Sequence, residues 1–208
     1  MSRLVPDGLS VHLIRRGNNR GPIFVDDEDR ELFLALFEAA SIQHGVDVNA
    51  YALMSNHYHA IVTPPNGDCL SLLMRDLGRE YVKRYNQRHQ RIGTLWAGRP
   101  RPIVIADDRH WLTCLRYIEQ NPVRAHMVTD AAEYRWSSYA FHAFGEPSSW
   151  LVPHRVYLTL GSTETERQHS YRSLFVETLA TADLIRQRLV WPTTKGEKRQ
   201  KAPQPVLA

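Results

Sequence analysis

The run Asn56-His57-Tyr58-His59 sets two imidazoles two residues apart. On a strand, alternate side chains share a face and their Cα atoms lie ~6.6 Å apart. His57 and His59 can therefore converge on one cation while Tyr58 points to the opposite face. Neutral imidazole is a good ligand for first-row divalent metals. The same pair also fits two plain surface histidines, since the chain has 10 histidines. A second group lies on the segment 107–121. At helical spacing Trp111, Leu112, Leu115 and Ile118 form one face, which must pack on a sheet. Tyr117 falls roughly opposite, with His110 and Asn121 on its side, so the spacing predicts a phenol and a carboxamide together on the face turned away from the apolar contact.

The two groups together suggest one chemistry. A phenol has a pKa of ~10, so at neutral pH only about one in a thousand is ionised. To attack a phosphodiester it needs help with the charge that develops on the phosphoryl oxygens, which a bound divalent metal supplies. Two histidines and a carboxamide oxygen would leave coordination positions open for phosphate. That mixed N/O set suits Mn²⁺ and accepts Mg²⁺. A covalent phosphotyrosine keeps the energy of the broken bond, so rejoining needs no ATP.

These residues must be held by a scaffold. Alternation over Ser10–Arg16 reads as a strand, and RGNNRG after it is turn chemistry. Asp26–Gln43 reads as a helix, with acids at its start and Leu32, Phe33, Leu36, Phe37 and Ala40 at helical spacing. Val46–Met54 and His57–Thr63 form a hairpin around Ser55–Asn56. Cys69–Gln90 is a long helix, and Arg101–Ala106 is a short strand that its prolines push to an edge. Asp107 or Asp108 caps the next helix, which Pro122 ends.

The β-α-β-β-α-β order predicts an α+β fold with a ferredoxin-like antiparallel sheet, a split βαβ with packed helices. A helical C-terminal extension follows, with a short helix near Trp136–Phe144, a loop holding Pro147 and Pro153, and a helix around Glu164–Ala180. The expected division is a catalytic domain over 1–128, the extension over 129–190 packed on the same domain, and a disordered basic tail over 191–208.

Composition narrows the function classes. With 43% apolar and 23% charged residues in 208, the chain is an ordinary globular protein. No apolar run is long enough to span a membrane, and the start lacks the apolar core of a signal peptide. Cys69 and Cys114 are too few for a disulfide framework or a cysteine zinc site. A reducing cytoplasm is expected, with no membrane partner. Between Arg75 and Arg101 there are eight cations against two acids, with Tyr81, Tyr85 and Trp96 interleaved. Such a stretch suits single-stranded nucleic acid, or is a solvated helix face. Tyr81 and Tyr85 would stack on bases or plug the core. A small-molecule metallohydrolase lacks an acidic base near the paired histidines.

The runs HLIRRGNNRGPIFVDDEDRELFL, AYALMSNHYHAIVTP, LRYIEQNPVRAHMV and YRWSSY closely resemble the REP-associated tyrosine transposases, single-tyrosine HUH transposases of the IS200-like kind. The resemblance spans about Ser2 to Phe175. It implies that His57, His59 and Asn121 bind a divalent metal, Mg²⁺ or Mn²⁺, and that Tyr117 is the nucleophile. It further implies a 5′-phosphotyrosine and a free 3′-OH, made on single-stranded DNA beside a palindromic hairpin. The alternative is a domesticated, catalytically idle binder of hairpin DNA. Either way a monomer or homodimer is expected. Arg15, Arg16, Asn18, Asn19 and Arg20 are expected to form a flexible loop that touches DNA, with Arg79, Lys83, Arg84 and Arg124 as further phosphate contacts.

Overall fold

The computed structural model describes residues 7–100 and 102–176. The predicted tail over 191–208 and the end of the predicted last helix lie outside them. Four strands form one antiparallel sheet: β1 (Val11–Arg16), β2 (Asp47–Met54), β3 (His57–Thr63) and β4 (Ile103–Val104), in the order β2-β3-β1-β4. The crossover α1 (Asp27–His44) joins β1 to β2, and α2 (Gly67–Arg88) joins β3 to β4. This is the ferredoxin-like arrangement that the element order predicts.

Local chemistry explains the boundaries. The Asp26 side chain caps α1 by accepting from Asp29 N at 3.1 Å, and Gly45 closes it with φ of 61°, a left-handed conformation that favours glycine. Asn66 caps α2 by accepting from Cys69 N. A clasp then ties the start of α1 to the end of α2: Arg88 binds Asp26, Glu28 and the fully buried Asp29. Within α2, a β-carbon on Gly78 would collide with the Arg15 guanidinium, which lies across the helix there.

The strand predicted over 101–106 shortens to Ile103–Val104, paired to Val11 and His12 at the sheet edge. Pro100 and Pro102 cannot donate to a ladder, which confines regular pairing to two residues. Pro122 does not simply end a helix. α3 (Asp108–Glu119), capped by Asp107, stops first, and a further turn α4 (Asn121–Arg124) starts with Pro122 in its first turn, where no N–H is needed.

The C-terminal part adds α5 (Tyr139–Phe144), α6 (Arg155–Leu158) and α7 (Glu164–Ser173). The turn α6 falls where the sequence predicts only loop. This part also closes the β2 edge, because Leu53 N donates to Trp136 O, Ser138 N to Tyr51 O and Val152 N to Val48 O. An open edge is a template for unwanted pairing, so the cover has a physical use. Two apolar clusters result, one on each side of the sheet. Val11, Leu13, Tyr58, Ala60 and Val62 pack with α1 and α2. Ala50, Ala52 and Ile61 pack with α3 and the C-terminal helices.

Candidate active site

Strand alternation builds the site. β3 begins at His57 immediately after the tight turn, and its pairing with β1 sets Arg16 opposite His57, Ile14 opposite His59 and His12 opposite Ile61. His57, His59 and His12 thus share the α3 side of the sheet, while Tyr58 faces α1 and α2. The His57 and His59 ring centroids are 5.0 Å apart, and those of His59 and His12 5.1 Å.

Both rings of the predicted pair are anchored through Nδ1. His57 Nδ1 bonds Asn56 Oδ1 at 2.7 Å, and Asn56 in turn donates to Arg20 O. His59 Nδ1 bonds His12 Nε2 at 2.9 Å. Nε2 is then the ring atom each has left for a cation. Burial disfavours the charged imidazolium. It brings His57 down to about 4, with nearby Arg16 adding to the effect. Burial, then His57, His12 and Arg16, hold His59 well below its usual value. The pair is neutral at pH 7, the state a metal needs.

Tyr117 corrects one expectation. It does not point away from the apolar contact: it is 7% exposed, within the same cluster as Trp111, Cys114, Leu115 and Ile118. Its ring meets His59 edge-on at 5.4 Å and His12 at 6.3 Å. The helix is covered on several sides, so a one-face rule fails. α3 packs on β2 and β3, His154 stacks on Trp111 at 4.4 Å, and the fully buried Glu119 binds Ser138, His142 and Tyr171. Burial pushes the Tyr117 phenol up, opposed by Asn121, Arg124 and Arg16. The Arg124 guanidinium lies 5.9 Å from the ring centroid.

The donor set fits a divalent cation in chemistry. Among the described residues no three His, Cys, Asp or Glu side chains are arranged to hold a metal by themselves. A third donor would then be another oxygen, from a carboxamide, a carbonyl, water or substrate. Asn121, one turn past Tyr117, is the candidate. Its carboxamide reaches the Tyr117 phenol, and its oxygen, rather than the buried Nδ2, is the atom that a cation would take.

The family model "Transposase IS200 like" matches residues 7–121, more than half the chain, and takes in both histidines, Tyr117 and Asn121. The chain belongs to the IS200-like transposase family. A solved REP-associated tyrosine transposase bound to a REP hairpin is similar, with TM-score 0.55 and 18% identity over 74% of this chain and 91% of that one. At that identity the likeness speaks for the shared fold. A transposase candidate from Deinococcus radiodurans r1 is 21% identical over 56% of this chain and 92% of that one, with TM-score 0.40. A search of curated proteins gives no match.

The predicted DNA contacts of this IS200-like transposase divide between two places. Arg16 lies on the histidine side, and Arg124 stands over Tyr117. Arg15 turns to the other side, 4.3 Å from the Trp96 ring centroid, where it lines an open groove with Arg75, Arg79, Lys83 and Arg99. Arg84 is exposed outside that lining. The loop with Asn18, Asn19 and Arg20 is exposed but pinned, contrary to the flexible loop expected. Gly17 N donates to Asn56 O, Asn18 N to Leu95 O, and Ala97 N to Arg16 O.

Tyr81 and Tyr85 are core residues whose hydroxyls donate to Ile23 O and Pro22 O. Sequence reasoning passed over His12 and the ring-anchoring role of Asn56. Alternation sets His12 on the same face as Ile14 and Arg16, but nothing in its own strand marks it as the partner of a residue on β3.

Proposed function

We propose that this chain is a metal-dependent single-stranded DNA endonuclease and strand transferase that cuts and rejoins at or near palindromic hairpins. One observation carries the reading: the Tyr117 ring lies against the paired imidazoles, 5.4 Å from His59, in a family of transposases. His57, His59 and Asn121 would hold Mn²⁺ or Mg²⁺. When bound, that ion supplies Lewis-acid polarisation of the phosphoryl oxygens.

The Tyr117 oxygen bonds to phosphorus and gives up its proton, while the P–O3′ bond breaks and the departing 3′ oxygen takes a proton up. The 5′ side stays on Tyr117 as a phosphotyrosine. Attack by a second 3′-OH reverses the step and joins new ends. Arg16 and Arg124 place positive charge where the phenol must ionise, which offsets the cost of its burial. The segment 129–176 is read as an extension that fixes α3, through the bonds at Glu119, rather than as a second active unit. DNA would reach the site past Asn18, Asn19 and Arg20 and along Arg15, Arg79, Lys83 and Arg84. The cytoplasm is the proposed setting; no described helix is long and apolar enough to cross a membrane.

The test is a labelled single-stranded hairpin incubated with pure protein and Mn²⁺, then denatured. The expected result is a covalent adduct from the native chain and none from Tyr117→Phe, with hairpin binding kept. An adduct from the Phe variant would rule out Tyr117. Binding without any adduct from the native chain would leave the idle hairpin binder as the better reading.

A further inference from the structure

The two imidazoles of the pair are not anchored alike. His57 leans on Asn56 Oδ1, a group that can only accept, so its Nδ1 carries the proton and Nε2 is bare. His59 leans on another imidazole, His12, which can either donate or accept through Nε2. His12 is fully buried, as is nearly all of His59, and its ring lies roughly parallel to that of His59, tilted by 22°. The arrangement carries a cost: with Nε2 accepting, His12 Nδ1 bears the proton and is buried with no hydrogen-bond partner. An apolar residue would fill this position without that cost.

We infer that His12 is the positioning residue of His59. It accepts the Nδ1–H of His59, selects the tautomer with a bare Nε2, and holds that lone pair toward the cation beside Tyr117. This rests on the metal-dependent reading above. A ring nitrogen held by a hydrogen bond is a better-oriented ligand, and loss of such a partner typically weakens metal affinity ~10–100-fold. The effect reaches the reaction through His59; His12 itself touches no reacting atom.

The experiment measures Mn²⁺ binding by calorimetry on the full-length chain, with His12→Phe, which keeps a flat ring, and His12→Gln, which restores an acceptor. The His12→Phe variant is expected to bind Mn²⁺ ~10–100-fold more weakly and to recover adduct formation when Mn²⁺ is raised. His12→Gln is expected to lie between it and the native chain. Nitrogen-15 spectra of the rings should show His59 protonated at Nδ1 in the native protein and a mixture in the Phe variant.

Should His12→Phe not fold, the Gln variant and the native spectra still decide. Native-like Mn²⁺ affinity in folded variants, or His59 protonated at Nε2 in the metal-loaded native chain, overturns the inference alone. No Mn²⁺ binding by the native chain overturns the metal reading and this inference with it.

Discussion

The two faces of the sheet spend the same residue types differently. Toward α1 and α2, aromatic rings pack edge to face: Phe24 with Phe33 at 5.3 Å, and Phe33 with Tyr58 at 4.8 Å and Tyr81 at 5.1 Å. Each α2 tyrosine hydroxyl there has a backbone acceptor. Toward α3, the strands present His12, His57, His59 and Arg16, and the phenol that meets them is Tyr117. There the anchoring is side chain to side chain, and orphaned atoms remain on His12 and Asn121. Orphaned atoms alone do not separate the faces, since Arg15 Nε, Arg30 Nε and Asn86 Oδ1 lack hydrogen-bond partners on the first. What sets the second apart is that it gathers three imidazoles and a phenol in mutual contact, and such sites commonly cost stability.

The largest contrast to test crosses the two faces. His57→Ala removes a half-buried ring whose proposed task is metal binding. Adduct formation is expected to fall by ~10³-fold or more, since a bound metal supplies several kcal/mol of charge stabilisation. Unfolding free energy should move by less than ~1 kcal/mol. Phe33→Ala, at 0% exposure, empties the middle of the aromatic stack and should cost ~3–5 kcal/mol. Its adduct formation per folded molecule should stay native. Denaturant melts alongside adduct assays check both, and a reversed pattern would break the division between faces.

A smaller effect separates the tyrosines. Tyr81→Phe deletes the hydroxyl that donates to Ile23 O, leaving a buried carbonyl without its partner. A loss of ~1–3 kcal/mol in stability is expected, with the adduct yield unchanged. If the adduct disappeared while the fold survived, the chemistry would belong on α2.

These contrasts also show what the chain disclosed in advance. The hairpin, the crossover helices and the strand order follow from alternation, caps and turn residues, so the fold was legible. His57, His59 and Tyr117 were legible as residue types at telling spacings. Their meeting was harder to read, because helical spacing sorts only apolar from polar sides. α3 is buried by the sheet and by the C-terminal helices at once, so Tyr117 and Glu119 escaped that rule. His12 escaped because a single histidine in an apolar strand carries no spacing signal; its partner is 47 residues away. The turn α6 has 4 residues, barely one helical repeat, too little for periodicity to register.

The smallest effect probes the far end of the polar face, where the C-terminal part docks. His154 stacks on Trp111, and its Nε2 lies 3.3 Å from Ser10 Oγ, which contacts Thr63 and, through it, Asn49. Burial, then the neighbouring Arg155, opposed by Asp108, brings the His154 imidazole from 6.5 to about 4. Between those values the unfolded chain binds more protons than the folded one, so stability rises with pH. The contribution is full above 6.5 and is lost as pH falls toward 4. Because the ring is only partly buried, the slope should be well under the ~1.4 kcal/mol per pH unit of a fully shifted group. Other buried histidines titrate in the same window, so the telling quantity is the difference between the native chain and His154→Gln. The variant's unfolding free energy should vary less steeply between pH 4 and 6.5. Parallel curves would mean that the extension docks through its apolar contacts alone, and that the polar character of this face stops at the three histidines.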